Sequence, residues 1–289
     1  MPIESLLPPL IMLAMVIVGL ELTPADLLRA LHEPRRTALA LAAQLLLLPL
    51  LAAGLAVILE LDAIAAGGLV LVAAAAQAPV SNYFCVLGRA DVALSVTLTA
   101  LSSVIATFTM PWAAQAGFDL IARDSTALQL PAAQMVRYIA TALLLPLAAG
   151  MLVRHLAPAF VARNRGRMQW ASVVLLAALL GSIAFDQAAT IAQRLGSLVV
   201  SSALFTLIAA LLGVAVARLA GWPGTQALTM FAAFPARSLS MATLVAVGIL
   251  GRTQFLSFAV VFFLVQAAML VPAMLWARRR VGAATAAGH

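Results

Sequence analysis

The stretch AAQAPVSNYFCVLG, residues 75–88, decides how this chain is read. It lies inside an apolar run long enough to cross a bilayer, yet Gln77, Pro79, Ser81 and Asn82 stand in its middle. Proline removes a backbone donor and breaks the helical ladder. In hydrocarbon every freed backbone group needs a partner, so such a break persists only where it is buried in protein or lines a cavity. The pattern predicts a helix that stops near Ala78 and restarts at Ser81. Carbonyls before the break would face a cation, and N–H groups after it an anion. Ser81 and Asn82 are also good N-cap residues. The bland alternative is a proline kink whose polar side chains bond neighbouring helices. A second such stretch, AAFPARSLSM, spans residues 232–241. The two breaks are expected to face each other and form a transport site.

Composition sets the frame around them. The chain has 289 residues, 64% hydrophobic and 9% charged, with a mean hydropathy of +1.10. Soluble domains carry roughly 25% charged residues, so this is a polytopic membrane protein. A helical span takes about 20 apolar residues, and the chain supplies about nine. The expected fold is all-α. The spans read roughly 6–20, 37–59, 64–88, 92–112, 132–153, 168–185, 197–217, 225–248 and 255–277. Loops are expected at 21–36, 113–130 and 154–167, and a small-residue tail at 278–289. The N-terminus has no positive n-region and carries Glu4, so it reads as a retained first span rather than a signal peptide.

All seventeen basic residues are arginines. Twelve fall in loops on one side: Arg29, Arg35, Arg36, Arg89, Arg154, Arg163, Arg165, Arg167, Arg218, Arg278, Arg279 and Arg280. Four fall on the other: Arg123, Arg137, Arg194 and Arg252. The richer side should be cytoplasmic. That puts the N-terminus outside and the C-terminus inside a cell (inner) membrane. It also explains the net charge of +7 without nucleic acid. The lone Cys85 reads as a packing residue. His32, His155 and His289 lie in expected loops or the tail, and no metalloprotease, nucleotide or hydrolase motif occurs. An enzyme is not expected, nor a cofactor.

The seventeenth arginine, Arg237, lies inside the span broken at Pro235. A central arginine costs at least about 2.5–3.5 kcal/mol on insertion scales. It reads as a fixed cation for an anionic substrate, since its fork suits carboxylate. The alternative is that it caps carbonyls at its own break. Pro79 and Pro235 lie in spans of opposite direction, a plan of inverted repeats. The division expected is repeat one at about 1–112, an added span at 131–153, and repeat two at 168–277. Ser95 and Thr99 share one face of the following helix, and a hydroxyl pair there suits either a hard cation or helix packing.

The run QAPVSNYFCVLGRADVALSVTLTALSS, residues 77–103, resembles the bile acid:sodium symporter family, in its bacterial apical sodium-dependent form. Ser81-Asn82 and DVALSV at 91–96 carry the likeness, with GLELTPADLLRAL at 19–31 and Gln44 followed by Pro49. The resemblance covers nearly the whole chain. It implies a core domain and a panel domain, with two crossed broken helices in the core. It implies a sodium site at Ser81, Asn82, Ser95 and Thr99, and a second at Gln44. The family's second break reads Glu-Val-Gly-Met-Gln-Asn-Ser. Aligned through Ser238, this chain has Ala232 for the shared glutamate, Ala236 for the glutamine, and Arg237 beside them.

The function expected is therefore secondary transport of a small organic anion. Pro79, Ser81, Asn82, Arg237 and Ser238 would bind it. A cavity polar enough to hold Arg237 implies a smaller carboxylate. Without the carboxylate at 232, transport would be sodium-independent or weakly coupled. Two alternatives stand beside this: sodium symport through a rearranged site, and a non-transporting membrane receptor or scaffold.

Overall fold

The computed structural model describes residues 3–21, 33–121 and 132–286. Twelve α-helices account for nearly all of them. In chain order they are α1 (Ile3–Glu21), α2 (Pro34–Ile58), α3 (Ala63–Ala74), α4 (Val80–Gly88), α5 (Val92–Ile121) and α6 (Ala132–Ile139), followed by α7 (Leu145–Leu156), α8 (Pro158–Asp186), α9 (Ala188–Leu219), α10 (Gly224–Ala233), α11 (Leu239–Gly248) and α12 (Leu256–Ala286). Six helices among the described residues are long and apolar enough to cross a membrane. Three shorter apolar helices accompany them, among them Ala63–Ala74 and Leu239–Gly248. The molecule is a polytopic α-helical membrane bundle.

Parts of two expected loops and of the expected tail are helix instead. α5 runs through to Ile121, α8 starts at Pro158, and α12 continues to Ala286. Hydropathy marks where a helix is apolar, not where it ends, and alanine-rich or arginine-bearing turns propagate well outside the apolar zone. The expected basic loop at 154–167 shrinks to Ala157 between α7 and α8. His155 lies in the last turn of α7. Residues 22–32 of the expected loop 21–36, the remainder of 113–130, and residues 287–289 lie outside the described residues.

Each end of the bundle has its own polar contacts. At one end Asp62 caps α3, accepting from the Ile64 and Ala65 N–H groups at 2.9 and 3.0 Å. Its other oxygen pairs with Arg194 Nε at 2.8 Å. At the opposite end Glu33 accepts from the Trp222 indole at 3.0 Å and pairs with Arg36 at 3.1 Å. These two hydrogen bonds, the indole's first, hold the Glu33 carboxyl below its usual pKa. Arg154 donates to the Leu20 carbonyl at that end, at 2.8 Å.

Packing sorts the helices into two groups. α1 lies against α7 and α8. The helices cross at Gly19 and Gly150, where a Cβ on either glycine would run into backbone of the other helix. Small residues let membrane helices approach this closely. Between α6 and α7 a π-helical turn, Ala140–Leu144, precedes Pro146, a wider turn that accommodates the missing donor. The second group is α2–α5 with α9–α12, whose shared core includes Phe205, Phe258 and Phe262.

Candidate functional site

The two interrupted rods, α3–α4 and α10–α11, meet at their breaks. The Ala78 N–H donates to the Ala236 carbonyl and the Ser238 N–H to the Ala76 carbonyl, each at 2.8 Å. Gln77 and Arg237 thus stand opposite each other in an isolated antiparallel bridge. Two extended segments satisfy each other's backbone groups in the bundle interior, as a dry environment requires. The Gln77 N–H goes to Ser102 Oγ at 3.1 Å.

The first break falls earlier than the sequence predicts. α3 ends at Ala74 with Ala75 as its C-cap, and α4 starts at Val80 with Pro79 as its N-cap. The reason is the direction of helical bonding: an N–H reaches back four residues, so Pro79 leaves the Ala75 carbonyl unserved. Arg237 Nη2 donates to that carbonyl. The alternative role for Arg237, capping a break, is therefore present, but at the partner's break and with one nitrogen of the fork. Ser81 and Asn82 are not N-caps and lie inside the first turn of α4. Ser238 is the N-cap of α11, accepting from the Met241 N–H at 3.3 Å.

Arg237 is 1% exposed. Its Nε and Nη1 have no hydrogen-bond partner among the described residues. The described ion pairs are Arg36–Glu33 and Arg194–Asp62, both at helix ends. Asp186 stays at the end of α8, bonded by Gln187 at 2.6 Å. Arg237 is among the residues that line a cavity of about 320 Å³ between the two helix groups, with its Nε and Nη1 buried in protein. Pro79 and Ser238 share that lining, and both α4 and α11 begin at it. The remainder is mostly apolar, with Met15 from α1, Leu176 and Leu179 from α8, and Phe263 from α12, beside Tyr83 and Ser240. Where the sequence suggests a polar cavity, apolar residues predominate, and Arg237 is the charged residue on the lining.

The expected residues divide into two places. Pro79, Arg237 and Ser238 line the cavity. Ser81 and Asn82, expected at the substrate, turn instead toward Ser95 and Thr99. Ser95 Oγ donates to Asn82 Oδ1 at 2.7 Å and lies 2.9 Å from Ser81 Oγ. The sequence named Gln77 as a polar interruption but gave it no role. The structure puts its side chain within this hydroxyl cluster, 2.9 Å from Ser81 Oγ and 3.0 Å from Thr99 Oγ1. Gln44 joins from α2, its Nε2 donating to Gln77 Oε1 at 3.0 Å, with its own Oε1 unpartnered. Ala232 and Ala236 are fully buried and offer no ligand.

Two broken helices paired at mid-bundle, with half-helix starts and a buried cation on one cavity, are the architecture of a secondary transporter. The chain belongs to the sodium bile acid symporter family, whose model matches residues 8–194. That match contains the first break and ends before the second. A probable sodium/metabolite cotransporter, BASS2 (chloroplastic), of Oryza sativa subsp. japonica is 29% identical over 201 residues, covering 69% of this chain and 46% of that protein. An uncharacterized sodium-dependent transporter, YocS, of Bacillus subtilis (strain 168) is 28% identical over 166 residues, covering 57% of this chain and 50% of that protein. The chain spans about half the length of these curated relatives. The family and both relatives are transport proteins, not enzymes.

Proposed function

We propose that this protein is a secondary transporter of an organic carboxylate that has an apolar body. One observation carries the reading: a buried arginine, with two guanidinium nitrogens unpartnered, is among the residues lining a mostly apolar cavity where two half-helices begin. Guanidinium and carboxylate match fork to fork. The half-helix starts add N–H groups and favourable dipoles. The apolar walls would take the rest of the molecule.

Transport would proceed by alternating access. The group of α1, α7 and α8 would act as panel and the remaining helices as core, sliding at the cavity between them. α6 continues into α7 through the π-helical turn, and the broken helices count as single crossings. On that count the chain makes about nine crossings, as its length of apolar sequence requires. The inverted repeats around Pro79 and Pro235 belong to this reading, as do a cell-membrane location and a cytoplasmic C-terminus. The arginine asymmetry supports the orientation.

Coupling divides two readings. The loss of the carboxylate at 232, and the presence of Arg237, favour transport that is independent of sodium or weakly tied to it. Ordinary sodium symport is favoured by the family and by the printed names of both relatives. Uptake of radiolabelled carboxylates into proteoliposomes, with and without a sodium gradient, decides between them. Uptake of none of a broad carboxylate panel would overturn the transport reading itself.

A further inference from the structure

The transport reading gives Gln77 no task, yet among the described residues its side chain has unusually crowded polar surroundings. Its side chain is fully buried. Four oxygens surround its Nε2: Ser81 Oγ at 2.9 Å, Thr99 Oγ1 at 3.0 Å, the Ser95 carbonyl at 3.2 Å and Ser95 Oγ at 3.5 Å. They come from two helices, α4 and α5. An amide nitrogen has two hydrogens, fewer than the oxygens turned toward it.

Proton accounting gives these oxygens their polarity. The Ser81 hydroxyl donates to the Ala78 carbonyl at 2.9 Å. The Thr99 hydroxyl donates to the Ser95 carbonyl at 2.9 Å, and Ser95 Oγ to Asn82 Oδ1 at 2.7 Å. A hydroxyl has one proton and two lone pairs. Ser81 Oγ and Ser95 Oγ also lie 2.9 Å apart and can share one of these protons; each hydroxyl proton thus has an acceptor other than Gln77, and lone pairs remain for its amide. The Ser95 carbonyl can only accept, which identifies the facing amide atom as nitrogen. The other amide atom, Oε1, accepts from Gln44.

A shell of inward lone pairs on hydroxyls and a carbonyl is what a hard cation takes as ligands. Sodium does not fit it here, because a nitrogen of the chain already stands among the ligands. The second expected position fits no better: the Gln44 amide is committed to Gln77, Ala232 and Ala236 have no oxygen to offer from their side chains, and the residue paired with Gln77 across the bridge is a buried arginine. We infer that Gln77 is a resident substitute for a coupling cation: its amide nitrogen fills the shell of Ser81, Ser95 and Thr99, and the chain folds and works without sodium there.

Two consequences follow. Gln77 ties α4 to α5 permanently, a link that an ion would make only when bound. Ion selectivity is then set at one position, and shortening that side chain opens a cation site. The claim about coupling rests on the transport reading, while the claim about occupancy does not.

The test measures occupancy alone, with no organic anion and no transport. The purified full chain is unfolded thermally in sodium chloride and in choline chloride at matched ionic strength. Wild type should melt at the same temperature in both. Gln77→Ala and Gln77→Ser, which empty the shell, should melt lower in choline and regain stability in sodium. The gain should saturate, with sodium affinity at least tenfold above that of wild type. A saturable, sodium-specific rise in wild type would overturn the inference, whatever the variants do. So would folded variants that ignore sodium. If neither variant folds, the wild-type comparison still decides, since its sodium response is measured independently. Because no substrate enters the assay, a failure here leaves the carboxylate reading standing, and a failure of that reading leaves this one.

Discussion

Replacing Arg237 by glutamine should uncouple two properties that usually fall together, ligand binding and stability. Arg237 is 1% exposed, donates from one nitrogen to the Ala75 carbonyl, and keeps two buried nitrogens unpartnered beside the cavity it lines. Hydrogen bonds to a charged group contribute about 1.5–3 kcal/mol each. Two to a bound carboxylate make a loss of at least about 2.7 kcal/mol, or a hundredfold, a conservative expectation. At a ligand concentration of about 100 Kd, wild type gains about 2.7 kcal/mol of stability, and a hundredfold weaker variant retains only about 0.4 kcal/mol. Without ligand the balance differs. The variant loses one bond to a backbone carbonyl, about 1.5–3 kcal/mol. It also sheds the desolvation penalty of a buried charge with no counter-ion, which is of several kcal/mol. The apo variant should therefore be as stable as wild type or more so. The assay is thermal unfolding in detergent with a panel of aliphatic and aromatic monocarboxylates, followed by Arg237→Gln with whichever acid shifts wild type most. A shift that survives the substitution would refute the binding role. An apo variant that unfolds much earlier would make Arg237 a structural cap and nothing more.

Other expectations test the frame around the site. Gly150→Leu should destabilise by at least about 2 kcal/mol, because its side chain would meet the Val16 and Gly19 backbone of α1; a lowered melting temperature in the purified variant reads this. Asp62→Ala removes the α3 cap and the contact to Arg194, for a loss of about 1–2 kcal/mol. Asp62→Asn, which keeps the cap, should recover most of it in the same melt. Glu33 has its folded pKa lowered from 4.5 by Trp222 and Arg36. Its contribution is complete above the unfolded pKa and fades as pH falls through the lower folded value. Stability measured across acid pH should therefore drop less steeply in Glu33→Gln. Single cysteines at Glu60 and Arg89, in a Cys85→Ala background, should label from opposite sides with an impermeant maleimide, Glu60→Cys from outside intact cells.

Both breaks were legible because proline and polar residues are conspicuous in hydrocarbon-length runs. Their pairing was legible from the opposite direction of the two spans. The register was not: Pro79 frees a carbonyl four residues upstream, so the helix ends at Ala74 rather than beside the proline. Hydropathy also could not tell helix from span, which is why α5, α8 and α12 outrun their apolar windows. At the site, the family resemblance implied Ser81, Ser95 and Thr99 as a cluster, and residue type pointed to Arg237 as the buried cation. Neither could say that Ser81 and Asn82 turn away from the cavity that Arg237 lines. The Gln77 amide was the deepest omission. A glutamine in a break reads as polarity, and only the distances to Ser81, Ser95 and Thr99 give it a place.

The central claim joins a fixed cation, an apolar chamber and a carboxylate moved without a coupling ion. Proteoliposomes adsorbed to a solid-supported membrane measure it directly, given a step of the best-binding carboxylate in sodium-free choline buffer. The account predicts a transient current carried by the anion's negative charge, present in wild type and absent in Arg237→Gln. A current that appears only when sodium is added, or one that persists in Arg237→Gln, would contradict it.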